Sequence, residues 1–290
     1  MKINKKKGIL FISVLLIILT VTALILIPFF KRTSVNRYTR EDLENVDNIS
    51  LITHCTTIGG INNSVAGFKE SVRLGADSVI VDICFKKDGT PVLTDDYSLV
   101  DNSEKAELLF KTLNEEKYDD ITVYLKIAQL SDLSSLNELA IKYNLIDRLF
   151  LIGIDRDHYG LLSSDNTIIP ILLNYEFSSE ELSGLDNGEF KIPNIMENYG
   201  AFGLIIDSEQ VTSQLSDTLK EYNIIFVADG IDSKSKMCKT LLNGADNIIV
   251  SNIEESKKIL DDWTEKMQER YKASVEKSIN SLSKKAEENK

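Results

Sequence analysis

Residues 51–96 read LITHCTTIGGINNSVAGFKESVRLGADSVIVDICFKKDGTPVLTDD, and their pattern decides the fold. An apolar run closes on His54, and a helical segment follows over about Ser64 to Leu74. Gly75-Ala76-Asp77 then leads into a second apolar run, Ser78 to Ile83. Lys87-Asp88-Gly89 marks a hairpin ahead of Pro91 to Leu93. A strand, a helix, a strand and a turn of this kind begin a parallel α/β chain.

The same alternation continues outward. Strand-length apolar runs recur at Ile121 to Ile127, Arg148 to Ile154, Thr167 to Leu173, Gly203 to Asp207, Ile224 to Ala228 and Asn247 to Ser251. Helical periods lie between them, which is the mark of parallel strands joined by crossover helices. About eight such strands in one domain favour a closed (β/α)8 TIM barrel over an open doubly wound sheet. The chain has 290 residues with 43% hydrophobic content, enough for one large core with appendages. Its net charge of −12 argues against a nucleic-acid partner, since phosphate binding needs clustered Lys and Arg.

Ahead of the barrel, Gly8 to Phe30 is an uncharged apolar run of about 23 residues, long enough for a transmembrane helix. A cleaved secretory signal would be shorter and end in small residues, whereas this run ends Ile27-Pro28-Phe29-Phe30. Lys2, Lys5, Lys6 and Lys7 precede it, so residues 1–7 are expected in the cytoplasm and the barrel outside, held by a single-pass signal-anchor. The expected organisation is a basic tail (1–7), the anchor (8–30), a polar tether (31–48), the barrel (49–262) and a charged helical tail (263–290). In the tail, Leu260, Trp263, Met267, Tyr271, Val275, Ile279 and Leu282 form one apolar seam. It is either the end of the last barrel helix with a solvated extension or a partner-binding helix. Cys55, Cys84 and Cys238 have no metal-type spacing, and their odd number implies no disulfide framework. Cys84 and Cys238 read as small buried hydrophobes.

The stretch GADSVIVDICFKKDGTPVL resembles the glycerophosphodiester phosphodiesterase family, of the phospholipase-C-like barrel type, and so does Asn223 to Asn252 near the carboxyl end. The resemblance covers about Leu51 to Leu260. It implies a phosphoric diester hydrolase with a divalent cation, Ca2+ or Mg2+, at the barrel mouth. It also implies where the site residues fall. The family's first strand ends His-Arg-Gly, with an acid/base His and a phosphate-gripping Arg; here stand His54, Cys55 and Thr56. A thiol lacks the bidentate cationic fork that a phosphodiester needs. The family's Pro-Glu-Asn-Thr is Ile61-Asn62-Asn63-Ser64, so its acid is lost.

The family's Glu-x-Asp metal ligands are Ile80 and Asp82 here, leaving Asp82 as the one retained ligand. The third ligand, the Glu of Glu-Ile-Lys, falls on Lys126, and the phosphate-binding Lys falls on Ala128. An ammonium at a ligand position repels a cation, and a pairing of Lys126 with Asp82 would replace the metal site by an ion pair. The second catalytic His, from a His-Asp pair, is Asp95 of Asp95-Asp96. An unperturbed Asp is poorly matched to proton transfer near neutral pH. The segment from Asp96 to Ile121 is also too short for the family's usual capping subdomain.

Two features could restore activity. Asp82, Asp95, Asp155, Asp207 and Asp229 all lie near carboxyl ends of strands and could form a rebuilt cation site. Asp before a barrel helix is, however, also the expected N-cap. His158 could replace the missing base, or could be a polar residue at a helix start. The expectation is a membrane-anchored barrel of degenerate site, without a bound cation, whose partner is an envelope lipid headgroup, a wall polymer or a membrane protein. The alternative is an active metal-dependent hydrolase with His54 as acid/base and Asp82 and Asp95 on Ca2+ or Mg2+.

Overall fold

A computed structural model describes residues 49–128, 133–156, 167–187 and 191–288. Its elements are β1 (Ser50–His54), α1 (Val65–Arg73), β2 (Ser78–Phe85), β3 (Pro91–Leu93), α2 (Ala106–Leu113), β4 (Thr122–Ile127), α3 (Ser134–Tyr143) and β5 (Leu149–Asp155). They continue with β6 (Ile171–Asn174), α4 (Ser179–Asn187), α5 (Ile192–Tyr199), β7 (Gly203–Asp207), α6 (Ser213–Glu221), β8 (Ile225–Ile231), α7 (Lys234–Leu242), β9 (Asn247–Val250) and α8 (Ile253–Glu288). The strands run in the order β1-β9-β8-β7-β6-β5-β4-β2, and β1 pairs with β2 to close the barrel. Every barrel pairing is parallel, and β3 is antiparallel on β2 as the hairpin return. The expected (β/α)8 TIM barrel is what the chain forms.

Local chemistry sets the element bounds. Ser64 caps α1 by accepting the N–H of Gly67, and Gly75, at φ 101°, turns the chain into β2. β6 starts four residues later than the apolar run suggests. Pro170 has no N–H for a ladder, and Thr167 Oγ1 turns back to accept the N–H of Ile169.

The barrel interior is one ring of apolar side chains, Ile52, Ile80, Tyr124, Ile152, Leu172, Ile205, Val227 and Ile249, one from each parallel strand. Burying such a side chain contributes roughly 2 kcal/mol over leaving it exposed. Inward residues recur every second position. The level above this ring therefore holds His54, Asp82, Lys126, Asn174, Asp207 and Asp229, at the carboxyl-end mouth where barrel sites form.

Two compact units divide the chain: Asn48–Asp261, which is the barrel, and Met1–Asp47 together with Asp262–Lys290. Within the second unit Met267 is buried, while Val275 and Ile279 of the seam are exposed. Among the described residues no helix is long and apolar enough to cross a membrane. The run Gly8–Phe30 read as an anchor, residues 1–7, the tether 31–48 and His158 lie outside them.

Candidate functional site

At the mouth, Asp82 and Lys126 are register partners on neighbouring strands, which brings two inward side chains face to face. Lys126 Nζ lies 3.4 Å from Asp82 Oδ1; the Asp82 side chain is 9% exposed and that of Lys126 44%. Ile80, at the Glu of the family's Glu-x-Asp, is buried in the apolar ring two residues below Asp82 and offers no oxygen. Among the described residues no three of His, Cys, Asp or Glu gather into a metal-binding group, and His54, Asp82, Asp95, Asp155, Asp207 and Asp229 are all described. The divalent cation implied by the resemblance does not fit these residues: its one retained carboxylate is already engaged by an ammonium.

Space for Lys126 is built into β5. The β5–β6 register shifts between Leu151 and Ile154, and Gly153 sits there at φ 82°. A Cβ on Gly153 would stand 3.1 Å from Lys126 Cγ, so the lysine stem lies over a position where only hydrogen leaves full room. A glycine inside an apolar strand run signals a bulge or close approach, and that signal was open to a reading of the sequence.

His54 ends β1 with an exposed side chain, paired in register with Ile80. The two residues after it face helix α1 instead. Cys55 Sγ donates to the Ser64 carbonyl at 3.3 Å, and Thr56 donates its N–H to Ser71 Oγ at 3.0 Å. A Cβ on Gly67 would come within 2.1 Å of the Thr56 carbonyl oxygen, so α1 lies directly against this segment. Burial pushes the Cys55 thiol up to about 11, with the Asp82 charge adding to the rise. The position that grips phosphate in the family is thus a protonated packing thiol here. Cys84 is also buried and its thiol is raised by burial, then by the Asp82 charge, while Cys238 is only half-buried, unlike the buried residue expected.

Asn63 joins the site to its scaffold. It holds φ 52°, a left-handed conformation that Asn tolerates, and its buried Oδ1 accepts the N–H of Asp82 at 2.9 Å. Asn63 occupies the family's Asn position in Ile61-Asn62-Asn63-Ser64, beside the lost acid, and its role rests on a contact 19 residues away that local sequence does not signal. From the other side, Thr94 donates its N–H to the Asp82 carbonyl at 3.0 Å. The Asp82 backbone is therefore held by two elements.

The remaining candidates serve local structure or stand apart. Asp95 is exposed after β3, and Asp96 caps the following turn, where the Ser98 hydroxyl and N–H hold its carboxyl below the usual range. Asp207 accepts the Glu209 N–H, and Asp229 that of Gly230. Neither is the N-cap anticipated for it, because Thr212 and Ser233 cap α6 and α7. Arg156 lies over the Tyr175 ring at 3.9 Å and pairs with Glu181 at 2.6 Å, so this mouth guanidinium already has an anionic partner.

No protein-family model matches the chain, and no curated protein matches it. Solved structures do. A glycerophosphodiester phosphodiesterase from Agrobacterium tumefaciens superposes with TM-score 0.57 at 12% identity, over 73% of this chain and 98% of that one. One from Parabacteroides distasonis gives 0.55 at 18% identity, over 74% and 98%. An Oleispira antarctica phosphodiesterase, solved with the product sn-glycerol-3-phosphate, gives 0.56 at 14%, over 75% and 99%. The resemblance in the sequence and these superpositions agree, and the chain has the barrel fold of the glycerophosphodiester phosphodiesterases.

Proposed function

We propose that this chain is a membrane-anchored, outward-facing phosphodiesterase-like barrel that binds a ligand without hydrolysing it. The observation that carries the reading is the Lys126–Asp82 pair. A divalent cation placed about 4 Å from an ammonium is repelled by roughly 8 kcal/mol at an effective dielectric of 20. Solvent at this half-exposed position lowers that figure without changing its sign. Without the cation, the Arg at Cys55 or the Lys at Ala128, a phosphodiester gains no charge stabilisation as its leaving oxygen departs. His54 is then a single imidazole without the second acid/base group that the family places at Asp95.

Membrane anchorage rests on Gly8–Phe30 and the lysines before it. The ligand classes in keeping with an outward-facing barrel are an envelope lipid headgroup, a wall polymer or a membrane protein. The test is a turnover assay of the full chain in detergent, with glycerophosphocholine and either Ca2+ or Mg2+. No release of choline or glycerol phosphate above a protein-free control is expected. Metal-dependent turnover that His54→Ala abolishes would establish the active hydrolase instead.

A further inference from the structure

The polar side chains of the mouth divide into an acceptor arc and a donor arc. Asp207 and Asp229 are register partners on β7 and β8, and both are exposed. Each commits one carboxylate oxygen to a backbone N–H, Asp207 to Glu209 at 2.7 Å and Asp229 to Gly230 at 2.6 Å. Among the described residues the second oxygen of each accepts no hydrogen bond. Lys126 stands on β4, four strands from β8 in either direction round the closed sheet, so it lies across the mouth from Asp229. Beyond its 3.4 Å approach to Asp82, its ammonium makes no other ion pair or hydrogen bond among the described residues. His54 and Asn174 are exposed at the same level, and an Asn amide both donates and accepts.

Valence decides which ligand can use both arcs. A phosphate or carboxylate has acceptors only, so it can take from Lys126 and has nothing to give Asp207 and Asp229. An ammonium has donors only, so it can serve the two carboxylates and takes nothing from Lys126. A hydroxyl donates and accepts, and a ligand with several of them satisfies both arcs.

Charge points the same way. Lys126, Arg156 and Lys236, cations of the carboxyl-end face, already have Asp82, Glu181 and Glu209 beside them, whereas Asp207 and Asp229 have no cationic partner among the described residues. An anion therefore meets unbalanced carboxylates. A cation gains little from carboxylates that remain in water. Beneath this level Ile205, Val227 and Ile249 close the interior, which keeps the ligand on the polar layer and offers its C–H groups an apolar floor.

We infer that the mouth binds an uncharged, polyhydroxylated ligand, an oligosaccharide, whose hydroxyls bridge Asp207 and Asp229 to Lys126. This rests on the non-hydrolytic binding function proposed above and narrows its ligand to the sugar portion of a wall polymer.

The test is titration calorimetry of the full chain in a detergent without a sugar headgroup. Chitotetraose, cellotetraose and maltotetraose are the uncharged probes, sn-glycerol 3-phosphate the anion and spermidine the cation. At least one tetrasaccharide should bind, and more tightly than either ion. Asp229→Ala and Lys126→Met should each weaken that binding about tenfold, the loss of one charge-assisted hydrogen bond. Asp229 is exposed, so its variant keeps the test decisive should Lys126→Met fail to fold. Asp229→Asn separates the ligand classes, because its oxygen keeps the Gly230 N–H and its amide turns a donor toward the ligand. A hydroxyl can accept from that amide, so saccharide binding should fall less than in Asp229→Ala; an ammonium cannot accept, and its binding would be lost. Tighter binding of either ion than of every tetrasaccharide, no binding of any tetrasaccharide, or saccharide binding that the Asp229 variants leave unchanged overturns the inference. Turnover of glycerophosphocholine would overturn the non-hydrolytic function itself, whereas a chain that is inert in that assay and binds no saccharide loses only this ligand class.

Discussion

Lys126 on β4 and Asp82 on β2 occupy one register pair, and the ammonium sits 3.4 Å from a carboxylate that is nearly buried. Removing one partner of such a pair leaves an uncompensated charge, and removing both relieves it. With Lys126 half in solvent, Lys126→Met should cost about 2 kcal/mol, less than a fully buried pair. Asp82→Asn combined with Lys126→Met should recover about half of that loss. Urea denaturation of the two single variants and the double variant measures the coupling, and strictly additive effects would show that the pair contributes nothing.

The same geometry predicts how a cation site could be installed. Ile80 and Asp82 point inward from β2, and Lys126 points inward opposite Asp82, so Ile80→Glu with Lys126→Glu brings three carboxylates to one end of the barrel. The double variant should bind Ca2+ in titration calorimetry, and the unsubstituted chain should not. Ile80 is buried, so the metal-free variant should also be less stable by a few kcal/mol, roughly 2–4. Added Ca2+ should return part of that loss.

Asn63 has two separable duties, its left-handed backbone and its hydrogen bond to the Asp82 N–H. Asn63→Gly keeps the first and loses the second, at an expected cost of about 1 kcal/mol. Asn63→Ala loses both and should cost about 1 kcal/mol more. Equal losses in the two variants, by thermal or urea unfolding, would show that the backbone conformation carries no cost.

Cys55 makes stability pH-dependent on the alkaline side. Its folded thiol keeps its proton up to about pH 11 against an ordinary value of 9.0. The folded state therefore binds more protons than the unfolded chain between those values, and stability falls as pH rises from about 9 to 11. The shift corresponds to about 3 kcal/mol in total. Cys55→Ala should flatten this limb of the urea-midpoint profile. In the native chain, iodoacetamide at pH 8 should modify Cys55 only after unfolding.

Periodicity and turn chemistry were enough to place the barrel. β1, β3 and β7 coincide with their apolar runs, and α1 lies between Ser64 and Leu74 as read. These are local properties, set by apolar spacing, a serine cap and glycine turns within a few residues of each other. The residue exchanges at Cys55, Ile80, Asp95 and Lys126 were equally legible, because each is a change of functional group at a recognisable position. The pairing of Lys126 with Asp82 was legible as a possibility but not as an outcome, because it runs through a register between strands 44 positions apart in sequence. Gly153 signals a bulge or close approach within its strand, but not that the side chain it clears is Lys126 from a neighbouring strand. The bond from the Asp82 N–H to Asn63 across the first helical crossover had no signal in the sequence. The sequence by itself determined the barrel and its resemblance to the glycerophosphodiester phosphodiesterases, together with the residues that stand at that family's phosphate and metal positions. Only the tertiary structure decided that Lys126 and Asp82 form an internal ion pair at the mouth, because strand register and a bulge, rather than any local propensity, set which side chains share it.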